Sequence, residues 1–339
     1  MKQLLETGGL AASALVEVVR RRRASGPLDP RWSFRTEFFQ AMVRRMMARG
    51  LVRGPQWVRA AQAAVPSALP PALRKAVRFE PVVADGVPCR WVWPVRVPSS
   101  GPDAAIVYFH GGGYVSGSLD THRELTARIA SGAGVPVLAV DYRLAPEHRY
   151  PAGHDDCLRA VRWLRARGVD ARRIAVAGDS AGGALAVATM IALRDAGEPQ
   201  VAGAALLCPW VDPLAAGGSM VTNERFDMVT RANLVAWAHL YATEEEIVSP
   251  AITLASANLQ GLPPLLIQAG ELEVLRDQIH AFAARAKDAG VDATLETEPA
   301  MYHDFQLMGS ILPEGLPAVE RIVRFLRGVL SGAAHDAAR

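Results

Sequence analysis

This 339-residue chain predicts an α/β architecture, with a mostly parallel, doubly wound sheet covered by helices on both faces. Three observations carry that expectation. Short, continuous apolar runs recur, as in residues 104–109, 174–177 and 263–268, and such runs suit strands buried on both faces. Stretches with helical spacing separate them, the alternation that yields parallel strands joined by crossover helices. Glycine-rich turns follow two of the runs at once, at Gly111-Gly112-Gly113 and around Gly178-Asp179-Ser180-Ala181-Gly182.

Half of the residues are apolar, with 29 glycines and 23 prolines, enough for one sizeable core with an elaboration or for two small domains. A net charge of +3 makes no demand for a nucleic-acid partner. Cys89, Cys157 and Cys208 are widely spaced in apolar surroundings, with neither metal-ligand spacing nor a disulfide framework. They read as buried thiols in a reducing, cytoplasmic compartment. No run approaches the roughly 18 apolar residues of a membrane span. Residues 7–16 are small and apolar, but Arg20 to Arg23 follow them, the reverse of an export signal. Residues 20–53 hold ten arginines against Asp29 and Glu37. That balance reads as a helix with a solvated basic face, and it leaves a peripheral contact of residues 1–25 with an anionic membrane as a second expectation.

Taken in order, residues 1–75 read as helical. Phe34, Phe38, Phe39, Met42, Val43, Met46 and Met47 form one apolar stripe, which packing explains better than a ligand site does. Pro66, Pro70 and Pro71 mark a linker. Residues 78–83 and 88–97 read as two strands across the turn Ala84-Asp85-Gly86. The alternation in Cys89-Arg90-Trp91-Val92-Trp93 predicts a sheet edge with one wet face. A strand over 104–109, a helix over 121–130, a strand over 135–140 and a helix over 154–167 follow. Asp155 and Asp156 stand where the helix dipole favours them. Next come a strand at 174, a helix over 183–192 and a strand over 201–208. Residues 213–247 interrupt the alternation with a glycine-rich loop and a helix over 234–241. A strand over 263–268, a helix over 275–289, a strand over 293–298 and a helix over 319–330 complete the chain.

A strand, a sharp glycine-flanked turn with Ser180 at its tip, and a helix give G-x-S-x-G the setting of a nucleophile. A serine needs a base for its proton and fixed dipoles for the oxyanion it creates. The turn His110-Gly111-Gly112-Gly113 can aim backbone N–H groups at one point, so Gly111 and Gly112, with Ala181, are the oxyanion candidates. Four of the eight histidines lie downstream of Ser180: His239, His280, His303 and His335. His239 and His280 fall inside helical patterns and His335 in the tail, whereas His303 follows the last strand at its carboxyl end, where ligands meet an open α/β sheet. His303 is the base. For the acid that orients it, Glu271, Glu273 and Asp277 all lie within one loop-to-helix turn, and any of them could be a first-turn carboxylate.

Three stretches together, His110 to Gly113, Asp141-Tyr142-Arg143-Leu144-Ala145-Pro146-Glu147, and Gly178 to Gly183, resemble the hormone-sensitive-lipase family of α/β-hydrolase esterases. The resemblance runs from about residue 80 to the end. It implies an eight-stranded core spanning 76–212 and 248–332, with a helical cap built from residues 1–75 and an insertion at 213–247. It also implies an acid at Glu273, before Val274-Leu275-Arg276-Asp277. Most members carry aspartate there, and this glutamate keeps Asp277 a candidate. His303-Asp304-Phe305 stands where relatives often have His-Gly-Phe. The implied activity is hydrolysis of short- to medium-chain carboxylic esters by Ser180, His303 and Glu273, with neither metal nor organic cofactor. A lactone, carbamate or amide would suit the same triad. A non-catalytic receptor on this fold is the reading from another class, and the presence of His303 argues against it. Asp179 and the loop 141–147 read as scaffolding. Expected partners are a small ester substrate, no nucleic acid and, as an assembly the sequence allows, a homodimer.

Overall fold

Strands that are apolar on both faces are stable only inside a covered sheet, and the chain supplies five of them in a row. The computed structural model describes residues 2–65, 69–99, 101–307 and 309–332, with side chains from residue 6 on. Pro66 of the predicted linker and His335 lie outside the described residues. Its strands are β1 (Val77–Ala84), β2 (Val87–Pro94), β3 (Ala105–Phe109), β4 (Val137–Val140), β5 (Ile174–Asp179), β6 (Gly203–Leu207), β7 (Leu265–Gly270) and β8 (Ala293–Glu298). They form one eight-stranded sheet in the order β1-β2-β4-β3-β5-β6-β7-β8. β2 runs antiparallel to both its neighbours, and all other pairings are parallel. Every residue of β3 to β7 is buried.

The helices are α1 (Lys2–Ser25), α2 (Phe34–Arg53), α3 (Pro55–Ala63), α4 (Pro71–Ala76), α5 (Arg123–Ala133), α6 (Ala152–Ala166), α7 (Ala181–Asp195), α8 (Ser219–Thr222), α9 (Arg231–Tyr241), α10 (Glu244–Ile247), α11 (Arg276–Asp288) and α12 (Leu316–Ser331). α6, α7 and α11 bury their apolar sides on one face of the sheet, and α5 and α12 cover the other. In α12 the stripe Val319, Ile322, Leu326, Val329 and Leu330 is buried, the spacing of one helical face. Each fully buried side chain of this kind contributes about 1.5–3 kcal/mol.

Two expectations change. β2 is an interior strand: Cys89 to Val92 pair with Val137 to Val140 on one side, while β1 covers the other. Trp91, Val92 and Trp93 are therefore all buried, with the two indoles 4.8 Å apart, and the true edges are β1 and the polar β8. Alternation misled here because Arg90 points out to an ion pair with Asp120 at 2.7 Å, and that one charge mimics a wet face. Likewise Asp156 serves less as a dipole partner than as a buried anchor, paired with Arg143 at 2.8 Å and with Arg159.

The amino-terminal helices and the 213–247 segment pack against each other over the carboxyl ends of the strands. Gln40 Nε2 donates to the carbonyl of Asp227 at 2.9 Å, and Asn233 Nδ2 donates to the carbonyl of Met47 at 3.2 Å. The basic run is partly neutralised within this unit. Glu37, fully buried, takes Arg21 at 2.6 Å, Arg22, and the Leu28 N–H at 2.9 Å. Among the described residues, no helix is long and apolar enough to cross a membrane. Glu37→Ala would strip Arg21 and Arg22 of their shared buried carboxylate and leave the Leu28 N–H unmatched, while Arg21 keeps Glu17 and Arg22 the Trp32 carbonyl. Both arginines keep about a quarter of their side chains exposed, so water offsets part of the loss and a destabilisation of about 1–3 kcal/mol follows. Urea unfolding checks this, and an unchanged midpoint contradicts it.

Candidate active site

A serine between a strand and a helix can stand clear of both only if the backbone turns sharply and the residues two positions away on either side, Gly178 and Gly182, carry no side chains. β5 ends at Asp179, and Ser180 turns with φ 50° and ψ −119° before α7 begins. Its N–H donates to the Leu207 carbonyl at 2.8 Å, and its own carbonyl accepts from Trp210 at 2.9 Å, so the strained turn is held from β6. A Cβ on Gly182 would lie 2.0 Å from the Phe109 carbonyl oxygen, and one on Gly178 would lie 2.4 Å from Gly182. The start of α7 therefore rests directly on the end of β3, and only glycine permits it.

The structure brings Ser180, His303 and Glu273 together from three separate loops. Ser180 Oγ lies 2.9 Å from His303 Nε2, and His303 Nδ1 lies 2.8 Å from Glu273 Oε2. The other oxygen of Glu273 accepts the Gly270 N–H at 2.7 Å, and all three residues are buried. The neighbouring acids are engaged elsewhere. Asp277 Oδ2 accepts the Ser219 N–H at 2.8 Å, and Glu271 Oε2 pairs with Arg31 at 2.7 Å and accepts the Ala300 N–H. His239 and His280 lie in α9 and α11, away from this cluster.

Asp227 is a member that the sequence did not announce. It is fully buried in the 213–247 segment. Its Oδ1 accepts the N–H groups of Met228 and His303 at 2.7 and 3.2 Å, and its Oδ2 that of Val274 at 2.6 Å. One carboxylate thus staples the backbones that carry the base and the acid. Burial pushes it up to about 6, with Glu273 adding to the rise and His303 and the N–H donors opposing it. Nothing in the periodicity of an irregular insertion could have singled it out.

The turn after β3 is set by a second buried network. Asp179 Oδ1 accepts the Tyr108 hydroxyl at 2.5 Å and the Gly111 N–H at 3.1 Å, and its Oδ2 lies 3.0 Å from His122 Nε2. Burial would raise the Asp179 carboxyl, but His122 and the Tyr108 hydrogen bond outweigh it and hold it low. Tyr142, from the loop expected to be scaffolding, donates to the His110 carbonyl at 2.7 Å and stacks on the His110 ring. The Gly111 N–H is therefore turned into the protein rather than toward the serine, which departs from its expected place. The N–H groups of Gly112, Gly113 and Ala181 have no recorded acceptor among the described residues. Gly112 and Gly113 have φ of 119° and 62°, and a Cβ on either would collide with Ser116 or Trp237.

Above Ser180 opens a cavity of about 580 Å³. Its floor is Gly111 to Gly113, Ser180, His303 and Asp304. Its roof includes Phe39, Met42, Val43, Met46 and Met47 of α2, with Trp237 beside them. The stripe read as packing does pack, since Phe39, Val43 and Met47 are buried in one cluster with Trp57, Tyr302 and Phe305, but α2 lies across the strand ends, so the same face also lines the cavity. Phe34, at the start of the stripe, is exposed. Among the described residues, one cluster of metal-type donors exists, Cys208, Glu273 and His303 within 4.8 Å of one another. Glu273 and His303 already hold each other, and burial pushes the Cys208 thiol far up, away from the thiolate that a metal takes.

His110 gives the site a pH-dependent cost. Burial, with His122 adding to it, pushes its imidazole down to about 4. The unfolded chain, near 6.5, then binds more protons than the folded one between these values, so stability falls as pH drops through this window. The full loss is about 3 kcal/mol. Urea unfolding at a series of pH values should show a slope of this sign in the native chain and a shallower one in His110→Phe, which keeps the stack on Tyr142 and leaves His154, also lowered by burial, to titrate in the same direction. Identical slopes would contradict it.

Comparisons with known proteins agree with this architecture. Residues 106–307 match the family described as the α/β-hydrolase fold. An acetyl-hydrolase of Streptomyces hygroscopicus is 40% identical over 238 residues, 70% of this chain and 78% of that protein. The carboxylesterase NlhH of Mycobacterium tuberculosis is 35% identical over 275 residues, 77% of this chain and 86% of its own. The crystal structure of an esterase from the bacterial hormone-sensitive lipase family superposes with a TM-score of 0.74 at 38% identity, covering 97% of this chain and 99% of that one. With the fold, the matched span and the relatives in agreement, the chain belongs to the hormone-sensitive-lipase family of α/β hydrolases.

Proposed function

We propose that this protein is a serine carboxylesterase acting on short- to medium-chain carboxylic esters. The observation that carries the reading is the continuous relay from Ser180 Oγ through His303 to Glu273, 2.9 and 2.8 Å long, at the floor of an apolar cavity. Ser180 Oγ attacks the ester carbonyl while His303 Nε2 takes its proton. Glu273 holds the Nδ1 proton and stabilises the imidazolium. The oxyanion develops toward the N–H groups of Gly112, Gly113 and Ala181; Gly111 supports the loop through Asp179. The C–O bond of the leaving alcohol breaks as Nε2 returns the proton to it. Water then adds to the acyl-serine, giving its proton to Nε2, and collapse releases the acid and restores Ser180. Named relatives support the substrate class: an acetyl-hydrolase, carboxylesterases and an ethyl acetate hydrolase of Pseudomonas putida. The buried free cysteines support a reducing, cytoplasmic setting. A homodimer and a membrane contact through α1 are separate expectations that this chemistry does not require.

Ser180→Ala should lower p-nitrophenyl butyrate hydrolysis by about 10⁶, and Glu273→Gln by about 10⁴, with folding intact by circular dichroism. Turnover within tenfold of native for the serine variant ends the proposal. A cavity of this size and apolar lining predicts kcat/KM rising from acetyl toward butyryl or hexanoyl esters, each methylene contributing up to about 0.8 kcal/mol, and falling for palmitoyl. A panel of p-nitrophenyl esters with matched lactones, carbamates and amides checks it; faster turnover of any of those three classes would move the substrate assignment.

A further inference from the structure

Asp304 follows His303 in the chain and faces the same nitrogen that faces the serine. Its backbone is left-handed, with φ 55°, a conformation that costs most residues energy and that aspartate tolerates better than most. This turn lays the carboxyl in the cavity floor, with Oδ2 3.2 Å from His303 Nε2. The residue is 9% exposed, and Oδ1 has no hydrogen-bond partner among the described residues. The other buried acids of the site are satisfied differently: Asp179, Asp227 and Glu273 each accept backbone N–H groups. The carboxylate oxygens of Asp304 have only the imidazole.

A neutral imidazole with its proton on Nδ1 offers one lone pair at Nε2. Ser180 Oγ meets it in a hydrogen bond of 2.9 Å, and Asp304 Oδ2 stands beside it at an ion-pair distance of 3.2 Å. We propose that Asp304 sets the proton affinity of His303: in the resting enzyme its carboxylate, beside Nε2, holds a proton on the imidazole, and loss of that proton to solvent is what frees Nε2 to activate Ser180. With the proton present, the imidazolium faces the Asp304 carboxylate and its Nε2 has no lone pair for the serine hydroxyl. When water or hydroxide takes the proton, Asp304 is left as a carboxylate and Nε2 accepts from Ser180. No bond between heavy atoms changes.

The surroundings favour keeping that proton. Burial pushes the Asp304 carboxyl well above the usual carboxylate range; His303 opposes the rise, and Asp179, Glu273 and Asp227 add to it. Burial would lower His303, and the charges of Asp304, Glu273 and Asp227 push it up. Both shifts favour keeping a proton on the pair. Tyr108 and Cys208 also face the pair, and burial keeps their phenol and thiol neutral. The consequence is an enzyme whose acid limb lies at higher pH than an isolated Ser-His-Glu triad would give.

This inference rests on the serine-esterase reading, and one experiment separates the two. The pH dependence of kcat/KM for p-nitrophenyl butyrate is measured from about pH 4 to about pH 10 for native enzyme, Asp304→Asn, Asp304→Gly and Ser180→Ala. Glycine fits the left-handed backbone without strain, and asparagine tolerates it. The midpoint of the acid limb should fall by about one unit or more in both Asp304 variants, with the alkaline plateau within about tenfold of native. An acid limb that stays or rises in a folded variant overturns the proposal. So does a plateau that falls about a thousandfold while the limb stays, which would make Asp304 a substrate contact. Activity retained in Ser180→Ala would instead sink the esterase reading, whatever the Asp304 variants do.

Discussion

The close approach of the first turn of α7 to the end of β3 is the constraint on which the rest of the site depends. Gly182 meets the Phe109 carbonyl where no Cβ could stand, so the nucleophile turn and the His110–Gly113 turn lie side by side. Their adjacency follows from the sheet, because β3 and β5 are hydrogen-bonded neighbours whose register pairs Phe109 with Gly178. Asp179, one residue further, is then within reach of the Gly111 N–H across the gap. Strain at Ser180 is sustained because β5 before it lies in the sheet and the first turn of α7 after it rests on the end of β3.

A second theme is the unusual density of buried carboxyls. Asp179, Asp227, Glu273 and Asp304 all lie within one small volume, and four free charges there would be prohibitive. Three are met by backbone N–H groups, and with histidine or tyrosine partners these fix loops from β3, the 213–247 segment, β7 and β8 against one another. Catalytic geometry here is therefore a product of backbone capture by side chains more than of apolar packing. α2 takes part through Gln40 and Arg44, which bind the Asp227 carbonyl. The same residues that roof the cavity thus belong to the helix that steadies the base.

What the sequence made legible follows from which signals are local. Ser180, the glycine turns and the buried strands carry their meaning in a few consecutive residues, and periodicity located β3, β5 and β8 to within two residues of their observed positions. His303 came from strand order. The choice among Glu271, Glu273 and Asp277 was not local, because a side chain's direction at a loop-to-helix turn depends on what the turn packs against. Family resemblance pointed to Glu273, whose Oε2 lies 2.8 Å from His303 Nδ1. Gly111 was assigned to the oxyanion because spacing cannot say which way an N–H points. The α2 stripe was read as packing alone because an apolar face looks the same whether or not a cavity adjoins the cluster it joins. Asp227 and His122 left no local trace at all.

The central claim is that Ser180 forms a covalent acyl intermediate with His303 as its base. Intact-mass analysis after treatment with an irreversible serine-directed phosphonate ester, followed by peptide mapping, tests it directly. The account predicts one adduct per chain, located on Ser180, formed in step with loss of activity and suppressed in His303→Ala. Inactivation without an adduct, or an adduct on another residue, would contradict it.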